Sequence, residues 1–129
     1  PLSFNQEGIR LTGHAIECRI NAEIPEKNLM PSPGVVKHLH LPAGNGVRVD
    51  TALYTGYWIP SEYDSMIAKV IVHAPDRNAA IQKMRSALDE MVIMGVETNL
   101  DFQYQIMRNP EFCAGNADTG FIERMLRLD

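Results

Sequence analysis

The chain has 129 residues, 45% hydrophobic and 22% charged, enough material for about one domain with a core of its own. Its 12 Lys and Arg against 16 Asp and Glu leave a net charge of −4, shared evenly between the two halves, so composition provides no basic surface for nucleic acid or an anionic membrane. The longest apolar run, Met91-Val92-Ile93-Met94, is far short of the ~20 residues of a spanning helix. Pro and Gly then divide the chain. Six of its eight prolines fall between Pro25 and Pro75, whereas Asp76 to Met94 has neither residue, so strands and turns are expected first and helices after.

His14 to Glu23 alternates strictly, with His14, Ile16, Cys18, Ile20 and Ala22 on one face and Ala15, Glu17, Arg19, Asn21 and Glu23 on the other, which predicts a half-buried strand. Pro25 and Pro31-Ser32-Pro33-Gly34 force a loop, and Val35 to Leu41 reads as a second strand. Asn45-Gly46 suits a positive-φ hairpin leading into a strand from Val47 to Leu53 that turns Val47, Val49 and Leu53 to one side. Met66 to His73, apolar except for Lys69 and His73, predicts a central strand buried on both faces. Ile81, Met84, Leu88, Met91 and Val92 then recur at helical spacing, with Asp76 or Asn78 as N-cap and Gly95 at the C′ position. Asn99 is placed to cap a helix through Met107, and Asp118 or Thr119 to cap a last one carrying Phe121, Ile122, Met125 and Leu126. Strands followed by helices predict an α+β fold: an antiparallel sheet from the first part of the chain, packed with helices from the last third.

The chemistry offered by these residues is sparse. Neither G-x-x-x-x-G-K-[ST] nor G-x-G-x-x-G occurs, so no phosphate-cradling loop is encoded. His38 and His40 share a strand face and form half a metal site at most; no further ligand or Cys-x-x-Cys supports one, and no metal is assigned. Cys18 and Cys113 are too few for a disulfide framework, and without a signal peptide a reducing cytoplasmic setting is expected. Cys18 falls on the apolar strand face as an inert core thiol, and Cys113 has no adjacent His or Lys to activate it. Pro1 in place of Met suggests a piece of a longer chain.

The polar face of the first strand is the stronger lead. Alternate side chains on a strand stand about 7 Å apart, so Arg19 has Glu17, Asn21 and Glu23 beside it. An Arg held by carboxylates is pre-aimed and presents a planar fork to an oxyanion. The same residues equally describe a surface ion-pair ladder, which spacing alone favours. Asp64, in Tyr63-Asp64-Ser65, either holds an arginine or makes an Asx turn, and the turn is the better reading from local sequence. Tyr54, Tyr57 and Trp58 form a binding platform or pack at an edge, with packing favoured.

From Gly13 onward the residues become specific. Gly-His-Ala-Ile-Glu-Cys-Arg-Ile-Asn-Ala-Glu resembles the start of the C-terminal domain of biotin carboxylase, the ATP-dependent component of biotin-dependent carboxylases such as acetyl-CoA carboxylase of fatty acid biosynthesis. The similarity continues in order through Pro31–Gly34, Gly46-Val47-Arg48-Val49-Asp50, Tyr63-Asp64-Ser65-Met66-Ile67-Ala68-Lys69, Met84-Arg85-Ser86-Ala87-Leu88 and Gly95-Val96-Glu97-Thr98-Asn99. It covers nearly the whole chain as one domain, 1–129. Residues 1–12 resemble the lead-in from a preceding ATP-grasp domain, 13–75 are mainly strands, and 76–129 mainly helices.

The resemblance implies a soluble, cytoplasmic ligase component. Its parent would use ATP, Mg and bicarbonate to carboxylate the ureido nitrogen of carrier-linked biotin, by way of carboxyphosphate. The partners implied are the N-terminal and ATP-grasp domains, the biotin carboxyl carrier protein and a second copy in a homodimer. Arg19 matches the family arginine that contacts biotin and bicarbonate and stabilises the enolate-like oxygen of the ureido ring, which moves it from surface ladder to catalytic residue. Glu17, Asn21, Glu23 and Asp64 take supporting roles. Arg48 and Lys83 fall on the dimer surface. Lys83 there replaces a possible Arg, Asn45 a possible aromatic, and Ile24 an acidic residue usual after Asn-Ala-Glu. The chain alone is expected to bind no cofactor and to be inactive. The competing reading is a non-catalytic module for dimerisation or carrier docking, with Arg19 structural. Acetyl-CoA, pyruvate and propionyl-CoA carboxylases are not separated.

Overall fold

A computed structural model of the chain describes residues 1–127. In chain order its elements are β1 (His14–Asn21), β2 (Glu23–Ile24), β3 (Met30–Pro31), β4 (Gly34–Val35), β5 (His38–His40), β6 (Val47–Thr51), β7 (Trp58–Ile59), β8 (Met66–Ala74), α1 (Arg77–Glu90), β9 (Val92–Met94), α2 (Leu100–Arg108), α3 (Pro110–Cys113) and α4 (Phe121–Leu126). The architecture is α+β. An antiparallel sheet ordered β1-β8-β6 carries α1 on one face, and β2-β3, β4-β7 and β5-β9 form separate two-stranded ladders.

Period two in β1 and β8 generates this layering. Ile16, Cys18 and Ile20 of β1, and Ala68, Val70, Val72 and Ala74 of β8, are buried on the side covered by α1. The helix answers with Ala80, Ile81, Met84, Ala87 and Leu88, and α2 and α4 add Phe102, Ile106, Met107 and Phe121. Asp76 caps α1 by accepting from the Ala79 amide at 2.9 Å. A second small cluster joins Ala22, Val36, Leu53 and Ile59 under the short ladders. No helix among the described residues is long and apolar enough to cross a membrane.

Several expectations change. β8 is central but buried on one face only, because helices cover a single side of the sheet; Ile67, Lys69 and Ile71 on the other side are half-buried. Val35 to Leu41 is not one strand: it divides into β4, which pairs with β7, and β5, which pairs with β9, while Val36 plugs the second core. The Gly44–Gly46 turn therefore joins strands that do not pair with each other, and its positive φ falls on Gly44 and Gly46, not Asn45. β6 stops at Thr51, whose hydroxyl donates to Ile67 O and accepts from Leu53 N, sending Leu53 into the second core. α1 ends at Glu90, and Val92 belongs to β9 rather than to the helical stripe. Gly95 is then no helix cap. It sits at φ +107° where a Cβ would lie 2.2 Å from Val35 O, so only glycine allows β9 to approach β4 and Lys37. α4 begins after Gly120; Asp118, just before it in the chain, accepts from the Gly120 amide and from Arg124.

Candidate functional site

The face of the sheet opposite α1 is open. Registration sets Arg19 of β1 across from Lys69 of β8, and Lys69 across from Asp50 of β6; one step along, Glu17, Ile71 and Arg48 form the next row. Since Cys18 and Ile20 point into the core, Arg19 must point out, and its side chain is 68% exposed. Glu17 Oε1 holds Arg19 Nε at 3.0 Å. A pair this exposed adds about 0–1 kcal/mol to stability; its effect is to fix the direction of the guanidinium. The contact is single, and among the described residues both terminal nitrogens are left without a partner.

The backbone beneath Arg19 is clamped by residues that local sequence pattern gives other duties. Asn99 is the one buried polar residue of the described chain: its Nδ2 donates to Arg19 O at 3.1 Å and its Oδ1 accepts from Asn21 N at 2.8 Å. Gln103, one turn into α2, donates to Arg19 O as well, at 3.1 Å. Asn99 is not the side-chain cap of α2 that its position suggests, because its amide is spent on β1 and makes no capping bond. The ladder shifts register between Ile20 and Asn21, where this clamp replaces regular pairing. The Gly95–Asn99 motif carries the signal, though nothing local tells clamp from cap.

The other proposed supporting residues lie away from the guanidinium. Glu23 accepts from Ser65 Oγ and from Asn21 Nδ2, and Asn21 Oδ1 is buried with no partner among the described residues. Asp64 accepts from Met66 N at 2.9 Å, the Asx turn that local sequence favours, and does not reach Arg19 because the turn directs its carboxylate to its own backbone. Cys18 is 2% exposed; burial first, and the Glu17 charge second, push its thiol up to about 12. Cys113 does meet a cation, Arg85, whose Nη2 lies 3.4 Å from the sulfur through a tertiary contact no local pattern announces. His40 faces Glu90 at 3.3 Å. Of the aromatic trio, Tyr57 packs on the second core and meets Tyr54 edge-on at 5.4 Å, while Tyr54 and Trp58 are largely exposed, against the packing expected for them.

The biotin carboxylase C-terminal domain family matches residues 17–124. The chain belongs to that family. It is 49% identical over 128 residues to the biotin carboxylase of Pseudomonas aeruginosa, covering 99% of this chain and 28% of that protein. It is 52% identical over 122 residues to biotin carboxylase 1 of Bacillus subtilis, covering 95% and 27%. The fold superposes with a TM-score of 0.91 and 44% identity on the biotin carboxylase domain dimer of Hydrogenobacter thermophilus 2-oxoglutarate carboxylase, solved with MgADP, ADP and bicarbonate; 95% of this chain and 27% of that one are covered. The chain thus spans little more than a quarter of the relatives it matches.

In this biotin carboxylase C-terminal domain, the two residues expected at a dimer surface are engaged within the chain. Arg48 Nε and Nη2 clasp both oxygens of Asp50, at 3.0 and 3.2 Å. Lys83 Nζ donates to Asn45 O and His73 O, each at 2.9 Å, and so ties α1 to the Gly44–Gly46 turn and to β8.

Proposed function

We propose that this domain forms the biotin- and bicarbonate-facing wall of an ATP-dependent biotin carboxylase, with Arg19 as its catalytic residue. The observation that carries the reading is the aim of Arg19: fixed at Nε by Glu17, anchored through its carbonyl by Asn99 and Gln103, and open at both terminal nitrogens among the described residues. Such a group can stabilise negative charge as it develops on the ureido oxygen, because a guanidinium cannot lose its proton at working pH and is already oriented. Glu17 serves as orienting carboxylate; Asn21 and Glu23 keep the β1 terminus in shape, and Asp64 shapes the approach to β8.

ATP, Mg and the carboxyphosphate chemistry belong in this reading to the ATP-grasp and N-terminal domains, and biotin arrives on its carrier protein. The parent works in the cytoplasm as a homodimer through the face bearing Arg48 and Lys83. The chain by itself, without a phosphate loop, is expected to be inactive.

The test is carboxylation kinetics of Arg19→Ala and Arg19→Lys in the full-length enzyme. Removing one donor aimed at an oxyanion costs about 10²–10³ in rate, about 3–4 kcal/mol. Lys keeps the charge without the planar fork and should lose nearly as much. ATP should bind as before. A rate for Arg19→Ala within about threefold of the parent, under 1 kcal/mol, together with lost dimerisation, would leave the domain as an assembly module and Arg19 as a surface ion pair.

A further inference from the structure

The open sheet face carries an excess of positive charge at one position. Arg19, Lys69 and Arg48 face the same side with two carboxylates, Glu17 and Asp50, among them. Glu17 is engaged by Arg19, and Asp50 by Arg48 through both oxygens. Lys69 is left over: among the described residues no side chain pairs with it, although it stands between Arg19 and Asp50 in the register. Like charges directly opposite on adjacent strands have Cβ atoms about 4.5–5.5 Å apart and are destabilising. Lys69 thus has the like charge of Arg19 on one neighbouring strand and, on the other, the Asp50 carboxylate that Arg48 already holds.

We infer that Lys69 is a second substrate-binding residue, sharing a small oxyanion of the carboxylate class with the Arg19 guanidinium. The inference rests on the proposed role of Arg19 and deepens it. The Arg19 terminal nitrogens supply a planar donor edge, and the Lys69 ammonium, on a flexible stem, closes on the same anion from the neighbouring strand. An anion between them is attracted by both cations, and neither carboxylate on this face is free to take its place, because Arg19 holds Glu17 and Arg48 holds Asp50.

The test uses Lys69→Gln and Lys69→Arg in the full-length carboxylase, with Arg19→Ala as reference. Lys69→Gln should raise the bicarbonate KM about tenfold, the effect of one lost charge-assisted contact, leave the ATP KM unchanged, and melt at about the same temperature, because the repulsion from Arg19 and the attraction to Asp50 are lost together. Lys69→Arg should recover the bicarbonate KM to within about threefold, since the charge is what counts. A bicarbonate KM for Lys69→Gln within twofold of the parent would overturn the inference, as would a melting temperature lowered along with activity, the mark of a structural lysine. If Arg19→Ala is severely impaired while Lys69→Gln is silent, this inference alone fails; if Arg19→Ala is itself unimpaired, the reading beneath it fails.

Discussion

Asn99 does for Arg19 what an exposed ion pair cannot. The Glu17 contact aims the side chain at little energetic gain, but Asn99 sits 6% exposed with both ends of its amide bonded to β1. Truncation to Ala would leave the Asn21 amide without this acceptor and the Arg19 carbonyl with Gln103 alone, in a half-buried place, at about 1–3 kcal/mol. Asn99→Ala should therefore lower the unfolding free energy by that amount, read as a lower urea midpoint at unchanged slope, and Asn99→Asp, which keeps an acceptor for Asn21 N but buries a carboxylate against Arg19 O, should lose at least as much. Equal midpoints for Asn99→Ala and the parent would remove the clamp. Cys18 invites a second test. Its thiol is raised from 9.0 to about 12 in the folded protein, so between those values the native state keeps a proton that the unfolded chain releases. Stability should be unaffected below about pH 9 and fall as pH climbs from there. In the native protein a thiol reagent should label Cys113 and spare Cys18. Labelling of both at equal rates would contradict the burial.

At the level of elements, the strongest periodic signals carry through to the fold. β1 and α1 are legible because each buries one face, and the period of the apolar residues reports that face directly; β8 is legible as a central strand, but its apolar run hides that only one face is buried. The errors fall where pairing is remote. Nothing within Val35 to Leu41 shows that its halves join different partners, β7 and β9, or that Val36 must face inward between them. Val92 fits the helical stripe of Met84 and Leu88, and only the pairing of His40 with Val92 makes it a strand. Gly95 is legible as a special residue but not as to why. Its reason is steric, and it yields a sharp expectation: Gly95→Ala combines an unfavourable φ with a Cβ 2.2 Å from Val35 O, so it should cost more than the ~1 kcal/mol of an ordinary misplaced alanine. A Gly95→Ala chain as stable as the parent by thermal unfolding would mean that β9 and β4 approach less closely than the contact implies. The candidate site divides in the same way. Arg19 and Glu17 are legible from alternation, Arg19's chemistry only from resemblance, and Asn99, Gln103 and Lys69 only from the way strands and α2 meet.

At the scale of the whole molecule, the homodimer proposed above raises the question of how strongly two copies would hold each other. Arg48 and Lys83, the residues assigned to the contact, are both satisfied at home: Arg48 by the carboxylate of Asp50, Lys83 by two backbone carbonyls. To engage a partner, Arg48 must share or leave Asp50, and Lys83 must loosen the link from α1 to the turn. Arg48 brings no surplus charge to an interface, and the Lys83 ammonium, though it keeps its charge, is held by two carbonyls. Asn45, where an aromatic can stand, offers little apolar surface to bury, and aromatic anchors are what concentrate binding energy in such contacts. Charges exposed at a rim mainly affect association rate and salt sensitivity. Weak self-association follows, with Kd in the micromolar range, about −8 kcal/mol. Sedimentation of the chain across concentrations should show monomer and dimer in exchange, and raising salt should shift the balance only modestly, because Arg48 and Lys83 already have partners. Arg48→Ala should then change Kd by no more than a few-fold. A tight nanomolar dimer, or one abolished by Arg48→Ala, would show that Arg48 exchanges Asp50 for a carboxylate across the interface; a strict monomer at millimolar concentration would show that this domain does not pair without the rest of the carboxylase.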